Sequence, residues 1–213
     1  IKWEAVPWGT CQDKVINLAI AGDPVDLAYV GSRTLKGLAE NGHIINVDIP
    51  QSQIGMYQPG ILNTVSHMGK VWGYPRAFST KALFMNCDLL DQAGVACEGP
   101  KTWDELYTMA EAVTNNVSGV AGIGLTGKDF DNTMHQFLNY LYSNGGQVID
   151  PDTNTITLNS SNAVEALAFY GKLANVAQEG PLAYERSQLR DLLNDKKIAM
   201  YIDGPWGRGT HNE

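Results

Sequence analysis

"KWEAVPWGTCQDKVINLAIAGDPVDLAYVGS", residues 2–32, decides the class of fold. An apolar-rich opening, "KWEAVPW", reads as a strand that starts at Ile1. In "QDKVINLAIAG", Val15, Leu18 and Ala19 fall on one helical face and Gly22 supplies the stop. "VDLAYVGS" then reads as a buried strand, and a second helix follows from about Arg33 to Glu40, closed by Asn41-Gly42. Strands alternating with helices imply an α/β fold with a parallel sheet. Ligands of such sheets sit beyond the carboxyl ends of the strands, here at Trp8 and at Gly31-Ser32-Arg33.

Further along, "GKVWGYP" and "STKALFMN" read as short strands on either side of Pro75-Arg76. Thr102 and Glu105 have the spacing of a capping box, and Leu106, Met109, Ala110 and Val113 continue that helix as one apolar face. "AGIGLTG" reads as a strand, a helix follows over about 131–144, and "QVIDPDTNTITL" reads as a hairpin. Ser160 caps a helix with Ala163, Ala166, Leu167, Tyr170 and Ala174 on one stripe. A last helix, about 184–194, leads into the strand of "KKIAMYIDGPW". This order of elements implies two lobes.

Composition narrows the function. The 213 residues are 44% hydrophobic and 18% charged, with a formal net charge of −8. That balance argues against nucleic acid and anionic membrane as partners, because both need a basic face. No apolar run approaches the roughly 18–20 residues that span a bilayer. The four histidines show no ligand spacing, so no metal or cofactor is expected. "GIGLTG", residues 122–127, matches the glycine pattern of dinucleotide sites, but its glycines fall inside the strand instead of opening a helix. A carboxylate pair for glycoside hydrolysis remains open among the twenty-three acidic residues. Cys87 and Cys97 either pair, in an oxidising compartment, or stay as two small apolar side chains.

Tryptophan placement carries more. Trp103, in the first turn of the capped helix, and Trp3, within a strand, read as packing residues. Trp8, Trp72 and Trp206 stand at strand ends or turns, where an indole can stack on the apolar face of a sugar. Trp206, between Gly204-Pro205 and Gly207, has the fewest core neighbours.

Five stretches, taken in order, resemble the extracytoplasmic solute-binding proteins of bacterial ABC sugar importers, in the maltose-binding-protein-like group. They are "AIAGDPVDLAYVGS" (19–32), "GKVWGYPRAFSTKALFMNCDLLDQAGV" (69–95), "GPKTWDEL" (99–106), "LYSNGGQVID" (141–150) and "KKIAMYIDGPW" (196–206). Two departures stand out: Val25-Asp26 where Pro-Asp is usual, and Cys87 where a lysine is common. The resemblance implies a type II periplasmic-binding fold, with a sugar or oligosaccharide held in an inter-lobe cleft and delivered to a membrane permease. It implies no catalysis and a periplasmic or extracytoplasmic location, with a lipoprotein anchor as one form of the full-length protein. By position, 1–86 is a partial lobe I with the first hinge strand, 87–202 is lobe II, and 203–213 is the second lobe crossing. The two ends then point to a fragment, whose lobe I part is expected to be less well packed and to favour self-association.

Carried over by position, the cleft residues are Trp8, Ser32 and Arg33, then Arg76, Ser79 and Thr80 at the hinge entry. Asp129, Phe130, Asp131 and His135 follow from the loop after "GLTG", and Trp206 is the stacking floor. The family often has an acidic residue near Ser79 and Arg33, so the ligand itself stays open. Alternatives are a carbohydrate-active hydrolase and a binder of a non-sugar solute.

Overall fold

The structure, a computed structural model, describes residues 2–211. Ile1, where the first strand was expected to begin, lies outside the described residues, as do Asn212 and Glu213. The chain divides into two compact units, 1–78 and 79–213.

The first unit is helix and loop around a small core. Helix α1 (Trp8–Ile20) and helix α2 (Ser32–Glu40) stand where the apolar spacing places helices, each followed by a positive-φ glycine, Gly22 and Gly42. Short helices α3 (Gln51–Ile54) and α4 (Pro59–Thr64) precede a hairpin of β1 (Ser66–His67) and β2 (Lys70–Val71). The expected strands at 2–8 and 25–31 are absent: the first stretch is irregular up to Trp8, which opens α1, and the second is irregular throughout. Leu27, expected to be buried, is 94% exposed, and Trp3, expected in the core, is 86% exposed. The reason is pairing. A strand is stable only with a ladder partner, and neither stretch has one among the described residues. The buried apolar side chains of this unit are Leu35, Leu38, Ala39, Ile49 and Val65.

The second unit has a three-stranded sheet, opened by β3 (Ala82–Met85). After it come α5 (Cys87–Gln92), α6 (Trp103–Asn116), β4 (Ala121–Gly124) and α7 (Asp131–Ser143). The hairpin of β5 (Ile149–Asp150) and β6 (Thr155–Ile156) precedes α8 (Ser161–Lys172), α9 (Arg186–Asn194), β7 (Ile198–Asp203) and α10 (Gly207–Thr210). Strand β7 is central, antiparallel to β3 and parallel to β4. Ile198, Ala199, Met200 and Tyr201 are all buried, as a strand covered on both faces requires. One face packs with α5, α6, α7 and α8 through Leu90, Ala110, Val113, Leu141 and Ala166; Leu189 and Leu193 of α9 join Ile198 and Tyr201 in a second cluster.

Local signals set these helices. Thr102 Oγ1 accepts from Glu105 N–H at 3.1 Å, but the Glu105 carboxylate takes the Lys101 N–H rather than that of Thr102, so the expected reciprocal box is shifted by one residue. Ser160 Oγ accepts from Ala163 N–H, as expected. The buried stripe of α8 is Ala163, Ala166 and Phe169; Leu167, expected on it, is exposed. Trp103 is a packing residue, stacked on Phe169 at 4.6 Å between ring centres. Cys87 and Cys97 form a disulfide, their Cα atoms 5.2 Å apart.

Candidate functional site

The register of the sheet brings three chain segments to one edge. Asp203 ends β7 opposite Ala82, and Gly124 ends β4 opposite Tyr201. Lys81, the segment 125–131 and the turn 204–206 therefore leave the sheet together. A glycine is required inside β4: a Cβ on Gly122 would sit 1.9 Å from the Ala110 carbonyl oxygen, so α6 lies against the strand backbone. The glycine pattern there serves helix-on-strand packing.

Buried amides hold the segment that follows. The Gln178 side chain accepts from Leu125 N–H and donates to Leu125 C=O, at 3.0 and 2.7 Å. Gln136 accepts from Thr126 N–H and donates to Ile202 C=O, linking the exits of β4 and β7. Asp131 opens α7, where the helix dipole favours a negative charge, and its carboxylate is 3.6 Å from His135 Nε2. Phe130 precedes it as the N-cap residue, and Asp129 is exposed.

Trp206 is anchored from below. Asp203 is completely buried; its Oδ1 accepts from Trp206 Nε1–H and Gly204 N–H, both at 2.7 Å. Its Oδ2 accepts from the Tyr201 hydroxyl at 2.7 Å and from Arg186 Nη1 at 3.4 Å. Burial, then the bond to Asp203, pushes the Tyr201 phenol well above its usual range. The indole N–H is thus spent inside, while the residue as a whole stays 45% exposed. Two cations face it: Lys81 Nζ at 4.5 Å and the Arg186 guanidinium at 5.3 Å from the ring centre. Burial holds the Lys81 ammonium below its usual pKa; Asp203 and Asp131 raise it and Arg186 lowers it further.

In the first unit, Trp8 and Tyr29 are 5.7 Å apart between ring centres, and Arg76 lies 4.6 Å over the Tyr29 ring. Gln12 Oε1 ties this patch to α2, accepting from Gly31 N–H at 3.2 Å and from the Thr34 hydroxyl. Ser32 and Arg33 open α2 and are exposed; Ser79 and Thr80 are exposed at the start of the second unit. Trp72 gives its indole N–H to His67 C=O at 2.8 Å, which commits it to the β1–β2 hairpin.

Within the second unit the structure therefore pairs Asp131 with His135 and sets Trp206 among Asp203, Lys81 and Arg186; within the first it joins Trp8 and Arg76 through Tyr29. Sequence reasoning missed Lys81, Arg186, Asp203 and Tyr29. Asp203 had a usable signal, a carboxylate three residues before an indole on a turn; Arg186, the first residue of α9, had none.

Over residues 1–213 the chain matches the family model described as bacterial extracellular solute-binding protein. The chain belongs to this family. Among solved structures, this solute-binding protein is similar to the GacH receptor of Streptomyces glaucescens, with 26% identity, a TM-score of 0.84, and 96% of this chain and 52% of that one covered. It is also similar to maltose-bound T. maritima MalE3, with 25% identity, a TM-score of 0.81, and 94% and 52% covered. The maltodextrin-binding protein MdxE of Bacillus subtilis (strain 168) is 27% identical over 201 residues, covering 91% of this chain and 46% of its own. The chain spans about half the length of the curated relatives it matches. Its α/β architecture is that of these periplasmic-binding-protein relatives.

Proposed function

We propose that the protein binds a sugar or oligosaccharide in an inter-lobe cleft and delivers it to the permease of an ABC importer, without chemical change. In this reading 1–86 is a partial lobe I with the first hinge strand, 87–202 is lobe II and 203–213 is the second lobe crossing; the two compact units themselves divide at 78. One observation carries the reading: Trp206 is held rigidly at a strand exit by buried Asp203 and still presents its ring. An indole so fixed stacks on a pyranose with little loss of conformational entropy. Relatives support the class of ligand. The GacH receptor was solved in complex with acarbose, and MalE3 with maltose.

Trp8, Ser32, Arg33 and Arg76 of the first unit, with Ser79 and Thr80, are proposed as further ligand contacts, and so are Asp129, Phe130, Asp131 and His135 at the α7 entry. The working location is extracytoplasmic, periplasmic or tethered as a lipoprotein, and the Cys87–Cys97 bridge suits such an oxidising compartment. Exposed Trp3, Leu27, Ile45 and Met56 favour self-association of the 213-residue chain, which size-exclusion chromatography would register as a species larger than a monomer.

The test is a tryptophan-fluorescence titration of the intact natural protein against a panel of neutral and acidic oligosaccharides. A saturable change that Trp206→Ala abolishes is expected, and so is recovery of the sugar unchanged after long incubation. Silence for every sugar overturns the binding claim. Growth of reducing ends, lost with an acidic residue of the site, overturns the non-catalytic one.

A further inference from the structure

Two cations share the indole that the proposed function uses as its stacking platform. Lys81 is partly buried, and among the described residues its ammonium has neither a hydrogen-bond acceptor nor an ion-pair partner within bonding distance. The carboxylates nearest to it are already engaged. Asp203 accepts from four donors, which fills the lone pairs a carboxylate offers, and Asp131 lies beside His135. Arg186 adds a second positive charge close enough to disfavour the first. A π face attracts a cation but accepts no directed N–H bond. An ammonium and a guanidinium that both face one indole, with unused donors, suit one kind of chemical partner: a small oxyanion.

We propose that Lys81 and Arg186 form an anion-recognising subsite beside Trp206, and that the ligand is an acidic saccharide. Its pyranose ring lies against the part of the indole left exposed, while a ring carboxylate, as in a uronic acid, accepts from Lys81 Nζ and the Arg186 guanidinium. The inference rests on the sugar-binding reading above and narrows it to one substrate class. The net charge of −8 works against general attraction of anions, so the preference depends on these two side chains.

The intact natural protein is titrated with oligogalacturonides and with neutral malto- and arabino-oligosaccharides of equal length, followed by tryptophan fluorescence. Acidic ligands are expected to bind about tenfold or more tightly than neutral ones, and more weakly as salt is raised. Lys81→Met and Arg186→Gln, checked for an unchanged melting profile, are each expected to lower the acidic-to-neutral preference by about tenfold, the scale of one lost charge-assisted bond. Should one variant fold poorly, the other carries the test. Neutral ligands binding as well as or better than acidic ones, or a preference unmoved by Lys81→Met, overturns this inference and leaves sugar binding standing. No response to either class overturns both.

Discussion

Trp206 donates its indole N–H to Asp203, three residues earlier, at 2.7 Å, and Asp203 is wholly buried. The contact makes an exposed aromatic depend on an interior carboxylate. Replacing Asp203 by alanine removes the acceptor of the Gly204 N–H and the Arg186 guanidinium as well as of the indole, and leaves the Tyr201 hydroxyl with His211 alone. Removing one partner of a buried charged network costs about 3 kcal/mol or more. Asp203→Ala is expected to lower the urea midpoint accordingly and to shift Trp206 emission to the red. An unchanged spectrum and midpoint would show that the turn holds the indole without the carboxylate.

What could be read from the sequence was local. Thr102, Ser160, Gly22 and Gly42 mark helix ends because capping and positive φ are decided within a few residues. The strands at 2–8 and 25–31 failed for the opposite reason. Their apolar spacing suits a strand, but a ladder depends on partners that spacing does not reveal. The site shows the same division. Trp206 stood out by its turn, whereas Lys81 lay inside a stretch read only as a short strand. Only the β3–β7 register, with Ala82 opposite Asp203, brings Lys81 to the indole.

The Cys87–Cys97 bridge closes a short loop around α5, which supplies Leu89 and Leu90 to the core. A loop of this length restricts the unfolded chain by about 2–3 kcal/mol. Reduction is expected to lower the stability of the second unit by that amount and to leave the proposed ligand site able to bind. Urea unfolding with and without dithiothreitol measures it, and coincident curves would show that the bridge adds nothing.

Acid should weaken the same unit through His211. Burial lowers its pKa below the ordinary 6.5, opposed by Asp203 and assisted by Arg190. Its Nε2 is 2.9 Å from the Tyr201 hydroxyl and its Nδ1 2.7 Å from Asn194 Oδ1. A histidine whose folded pKa is depressed binds its proton first in the unfolded state. Its contribution is therefore intact above 6.5 and is lost as pH falls from 6.5 through the lower folded value. Between pH 8 and pH 5.5 the native protein is expected to lose more stability than His211→Gln. Equal losses would assign the acid sensitivity to other groups.

Gly122 tests whether the glycine pattern of β4 serves packing. An added Cβ would meet the Ala110 carbonyl oxygen at 1.9 Å and its Cα at 2.4 Å, both of them backbone atoms that cannot swing aside. The Gly122 N–H also donates to Thr114 Oγ1 at 2.9 Å, tying strand to helix at the same point. Gly122→Ala must push α6 off β4, and with it Leu106, Ala110 and Val113 from the core. Overpacking of this kind costs about 1–3 kcal/mol, here at the upper end because backbone has to move. Gly119→Ala is the contrast. Its added Cβ meets nothing within 4 Å, so its cost is confined to the positive φ of the turn, about 1 kcal/mol. Thermal melts of the two variants separate the effects. A Gly122→Ala protein as stable as Gly119→Ala would mean that the strand can retreat from the helix, and the close approach would no longer account for the glycine.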